Sequence, residues 1–194
     1  MDVHAALRSA TQERHQRLDS SLRIGSPDAG YADYVAYIAA LEAWLRPVEE
    51  ALWARDWPAS LRPRLRRDKS ARIDQDLAAA RAVGERAPAT PACGMLPAVG
   101  KSRAYDAGVM YVIEGSQLGG RMMAKRLRQA WPDRQFEYME GYGAELGPLW
   151  KDFMAFLAEE LKSERDVEQA TAGARDAFDT LADWLRRQGQ IRTA

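Results

Sequence analysis

Histidine and cysteine are nearly absent from this 194-residue sequence, which holds two histidines, His4 and His15, and one cysteine, Cys93. A single cysteine excludes an internal disulfide and a cysteine-based metal cage. Two histidines fall short of a zinc site, which takes three or four protein ligands, and no Glu-x-x-His pair is present for a di-iron bundle. Net charge is missing too, because 28 Lys and Arg balance 28 Asp and Glu. That argues against a nucleic-acid binder working by counterion release. No apolar run approaches the ~20 residues of a membrane span. The opening MDVHAALRSATQERH is charged throughout and lacks the apolar core of a signal peptide. These absences predict a cytoplasmic protein, in a reducing compartment, that binds neither nucleic acid nor membrane.

What is present is helical spacing. Leu7, Thr11, His15, Leu18 and Leu22 recur at steps of three and four, on one helix face. Tyr34, Ile38, Leu41, Leu45, Val48 and Leu52 repeat the pattern in a second helix, set off by the turn-forming SPDAG. Pro47 is expected to kink that helix. Residues 68–83 read as a third helix, more charged and hence more exposed. GERAPATPACGMLPAVGK, with its prolines and glycines, reads as a loop. Ser102 is placed to cap a long helix running to about Ala130. WPDRQFEYMEGYG breaks it, and two last helices follow over about 145–161 and 167–188. No segment alternates long enough for a strand. The expectation is an all-α bundle, one domain over residues 1–194, of roughly six to eight helices.

Two features raise chemical questions. In YVIEGSQLGGRMMAKRL, Gly115, Gly119 and Gly120 interrupt a helical segment, although each glycine costs roughly 0.5–1 kcal/mol against alanine. Gly115 with Gly119, and Ser116 with Gly120, are four apart and make a bare strip. A bare strip serves close helix packing or close approach of the backbone to a flat ligand. The spacing is not that of a phosphate-binding loop. His15 is either a hydrogen-bonded core histidine or a single axial ligand to an iron porphyrin, with Asp19 one turn on to take its other ring nitrogen.

Taken together, LRSATQERHQRLDSSLR and YVIEGSQLGGRMMAKRL resemble the haem oxygenase family, in its bacterial biliverdin-producing branch. RRDKSARIDQDL looks like the Arg-Asp stretch before that family's middle helix. FEYMEGYGAELGPLWKDFMAFL is similar to members associated with bacterial phytochromes. The resemblance covers most of the chain. It implies haem as both cofactor and substrate, with His15 the proximal iron ligand and Asp19 its partner. It puts Gly115, Ser116, Gly119 and Gly120 on the distal face. Arg23 and Arg126 match propionate-binding positions, Arg8 a basic position of other members, and Tyr111 a phenolic position near the propionates. Arg67 matches an arginine of a distal water network. Animal-type members place an aspartate where this sequence has Ser116. The implied reaction uses O2 and opens the ring at a meso carbon to biliverdin, carbon monoxide and ferrous iron. Electrons come from an external donor, a ferredoxin or flavoprotein reductase, since no flavin or nicotinamide fingerprint is present. The phytochrome-like segment points to a bacterial phytochrome as recipient of the product. Three rival readings use the same residues differently. They are a haem carrier without turnover, a cofactor-free helical interaction module, and a related all-α hydrolase of thiamin-like compounds, which would need Cys93 as nucleophile.

Overall fold

A computed structural model describes residues 2–192. Six long helices and one single-turn helix follow one another: α1 Val3–Ser21, α2 Tyr31–Trp53, α3 Lys69–Ala82, α4 Arg103–Ala130, α5 Glu137–Glu140, α6 Leu146–Glu160 and α7 Glu164–Arg187. Among the described residues the only β pairing is one isolated bridge between Leu22 and Ile191. The all-α expectation holds.

Local chemistry sets the helix ends. The side chains of Asp2, Ser102 and Ser163 each accept a backbone N–H three residues on, which satisfies donors a helix start leaves unpaired. Ser102 therefore caps α4 as its sequence position foretold. Helix α2 passes through Pro47 without interruption. The loop before α4 forms no helix. Helix α3 meets expectation only in part, because Asp74 and Arg81 are exposed but two of its charges are not. Lys69 and Asp76 are buried, and Asp76 accepts from the Tyr34 hydroxyl at 2.6 Å and from the α5 amides of Glu137 and Tyr138. A buried carboxylate persists here because every hydrogen bond it needs is supplied.

Helix α7 is the spine. Both α4 and α1 pack along it. Trp44 and Trp184 tie α2 to it, through Thr180 at 3.2 Å and the Ala40 carbonyl at 2.6 Å. The α4–α7 crossing brings backbones into contact. A Cβ on Gly108 would stand 1.8 Å from the Ala170 carbonyl oxygen, and one on Gly173 2.1 Å from that of Tyr105. No helix is long and apolar enough to cross a membrane among the described residues.

Candidate functional site

Helices α1 and α4 each lie on α7 yet scarcely touch one another. They meet at two places. Near the start of α1, the Tyr111 ring stands 6.2 Å from that of His4, and its phenol lies beside Arg8 and Thr11. Beyond the end of α1, the Arg126 guanidinium donates to the carbonyls of Gly25, at 2.9 Å, and Ser26. Between these contacts the helices leave a slot. One helical turn past Thr11 is His15, and one turn past Tyr111 is Gly115, so both lie between the two contacts. The floor is phenolic. Asp19 neighbours the half-buried Tyr37, Tyr37 neighbours Tyr138, and Tyr138 neighbours Ser116.

His15 is not a core residue. Its side chain is 56% exposed, and its Nδ1 lies 3.2 Å from Asp19 Oδ2. Thr11 and Leu18 on the same face are buried. The ring is steadied edge-on by Phe178 at 5.8 Å. With Nδ1 turned to a carboxylate, Nε2 is left to point outward, the arrangement of a metal-ligating imidazole.

The glycines divide by role. A Cβ on Gly119 would meet nothing within 4 Å, and one on Gly115 would just reach Trp150 Cη2 at 4.0 Å. Gly120 faces the other way, where its Cβ would press on the Met139 carbonyl oxygen of α5 at 3.1 Å. Gly120 therefore serves packing, and the open strip is Gly115, Ser116 and Gly119. Ser116 donates its hydroxyl to the Ile113 carbonyl at 2.7 Å, which leaves its oxygen free only to accept. Next along the helix, Met122 is 80% exposed, a large apolar side chain with no protein partner to cover it.

The basic residues fall into three places. Arg23 and Arg126 share one end of the slot, where Arg23 Nε also donates to Asp33 at 2.5 Å. Arg8 and Tyr111 stand at the other, with Tyr111 about 22 Å from Arg126 along α4. The resemblance put Arg23, Arg126 and Tyr111 near the propionates, and the fold sets Tyr111 apart from the two arginines. Arg67 is in neither group. It lines a cleft of about 700 Å³ with Asp56, Trp57, Arg64 and Arg103, near the start of α4.

Sequence reasoning did not single out Trp150, Tyr37, Tyr138 or Phe178. All are aromatic residues at helical spacing, which alone reads as core. Cys93 is half-buried, its thiol donates to the Met95 carbonyl at 3.2 Å, and burial pushes its pKa up. That is an inert thiol rather than a nucleophile, so the hydrolase reading is set aside. No cluster of three or more His, Cys, Asp or Glu residues is arranged to hold a metal ion among the described residues. A lone imidazole together with a bare strip suits a metal that brings its own macrocycle.

A family model described as "Heme oxygenase" matches residues 1–187. A heme oxygenase of Xanthomonas campestris pv. campestris is 38% identical over 91 residues, which cover 45% of this chain and 54% of that protein, about half its length. The heme oxygenase PigA of Pseudomonas aeruginosa is 29% identical over 183 residues, 91% of this chain and 88% of that protein. No solved structure matches at a significant level.

Proposed function

The chain belongs to the haem oxygenase family, and we propose that the slot between α1 and α4 is where it binds and degrades haem. The observation that carries this reading is the pairing of an exposed His15, held through Asp19, with a strip of α4 where a Cβ on Gly119 would meet open space and one on Gly115 would just reach Trp150. Haem is at once substrate and prosthetic group in this family, and O2 and a reductase are its co-reactants.

The redox chemistry and the ring that is opened both belong to haem. The chain contributes binding, orientation and exclusion. His15 offers Nε2 to the iron while Asp19 fixes the ring orientation and keeps the second nitrogen occupied. Gly115 and Gly119 present backbone alone, so the distal face is low and contains no acid, base or guanidinium that would assist O–O cleavage. Ser116 stands where the animal-type aspartate would be. Its hydroxyl proton is committed to Ile113, so on this face it accepts hydrogen bonds. Arg23 and Arg126 would hold the propionates, Arg126 exchanging two neutral carbonyls for a charge-assisted partner and Arg23 exchanging one carboxylate, Asp33, for another. The Arg8–Tyr111 end supports the opposite seating, and the isomer of the opened tetrapyrrole distinguishes the two.

A largely continuous core supports reading the chain as one domain. The lone cysteine supports a reducing, cytoplasmic setting. A ferredoxin or flavoprotein reductase is the electron donor, and the phytochrome-like FEYMEGYG segment supports biliverdin supply to a bacterial phytochrome. Hemin titration of wild type and His15→Ala, followed by ascorbate or a ferredoxin system in air, tests the site. A Soret band that needs His15 and then gives way to the broad red absorption of biliverdin is the expected result. A Soret band that persists would leave a carrier, and no Soret band would leave a helical interaction module.

A further inference from the structure

The residue before Gly115 is a buried charge. Glu114 is 2% exposed, and its carboxylate is held by two cations that are themselves enclosed, Arg66 at 0% and Lys69 at 1%. Lys69 Nζ donates to Oε1 at 2.9 Å, Arg66 Nη1 to Oε2, and the Tyr142 hydroxyl to Oε1 at 3.0 Å. Arg66 spends its remaining donors on the carbonyls of Leu61 at 2.5 Å and Leu149 at 2.7 Å. Leu149 precedes Trp150, the ring that just reaches Gly115. One guanidinium thus grips the residue before Gly115 on α4 and the residue before Trp150 on α6.

Burying three charges is costly, and apolar residues of equal volume would pack the same space at similar or better stability. What they would not do is fix two backbones at hydrogen-bond resolution, since apolar contacts tolerate sliding and charge-assisted hydrogen bonds do not. We propose that Glu114, clamped by Arg66 and Lys69, is a positioning residue that sets the height of the bare strip over haem. The clamp sits behind the strip, enclosed in the core. It acts through the α4 backbone at Gly115 and the α6 backbone at Trp150. The proposal rests on the reading that the strip faces haem.

Two variants test it, Glu114→Gln and the apolar replacement Arg66→Met/Lys69→Met/Glu114→Leu. The first reading is amide hydrogen exchange over residues 115–120 in the protein without haem. The second is the pH midpoint at which water on ferric haem deprotonates. The expected result is roughly ten-fold faster exchange in that segment, with α7 protection kept in the triple variant. A shifted midpoint, with the His15-dependent Soret band retained, is expected alongside. Should Glu114→Gln fail to fold, the triple variant decides. Wild-type exchange at 115–120 and a wild-type midpoint in a folded variant would overturn the proposal. Absence of a Soret band in the unmodified protein would instead overturn the site reading. The exchange data, taken without haem, would still report whether the clamp pins α4.

Discussion

At Gly108 an added Cβ would stand 1.8 Å from a carbonyl oxygen of α7, whereas at Gly119, on the same helix, it would meet nothing within 4 Å. Both positions lack a side chain, and for opposite reasons. At Gly108 the neighbouring helix already occupies the space, and Gly173 answers it from the other side. Tyr105 seals that crossing with a hydroxyl donated to Asp176 at 2.7 Å, its phenol pushed up to about 12 by burial and by that carboxylate. At Gly119 the space is empty of protein. A glycine that fits a neighbour is explained by packing. A glycine that costs helix stability and fits no neighbour is not explained by packing.

Gly108→Ala gives the largest expected effect, a loss of about 3 kcal/mol, because backbone rather than a flexible side chain must move. Thermal melts should fall by about 6–12 °C. An unchanged melting temperature would mean that the crossing is looser than described. His15→Ala should weaken haem binding by more than ~100-fold. Its exposed position keeps apoprotein stability within ~0.5 kcal/mol of wild type, and hemin titration with a parallel urea melt checks both. Gly119→Ala should act opposite to Gly108→Ala and raise apoprotein stability by roughly 0.5–1 kcal/mol. Gly119→Leu should keep that gain and lose haem. A Gly119→Leu protein that binds haem normally would break the comparison at its open side.

The smallest effect lies at the slot's mouth. Arg23 hydrogen-bonding to Asp33 holds that carboxyl below the usual carboxylate range. Its folded value is lowered, so the pair's contribution is present above the unfolded value and lost as pH falls through the folded one. Arg23→Gln should cost little at neutrality, and its difference from wild type should vanish in acid. Urea melts at neutral and acidic pH read this directly.

Much of the molecule was legible in the order of its residues. The apolar steps in α1, α2, α6 and α7 follow a period that only a helix satisfies, and Ser102 caps α4 whatever surrounds it. The His15–Asp19 pairing is local, four residues on one helix, and so was readable too. Arg67 rested on the resemblance alone, as the match to an arginine of a distal water network. The fold buries Arg66 against Glu114 and turns Arg67 into a separate cleft. The buried charges of α3, Lys69 and Asp76, were read as exposed because their partners, Tyr34, Glu114 and the α5 amides, are distant in sequence.

The sequence by itself determined the helices, the scarce ligand chemistry and the presence of bare positions on α4, because each depends on residues within a turn or two. Which bare positions are filled was decided by tertiary structure alone. Gly108 meets α7, Gly120 meets α5, Gly115 just reaches Trp150 of α6, and Gly119 meets nothing within 4 Å. Only packing brings those distant segments together, and the absence of a neighbour cannot be read from either one.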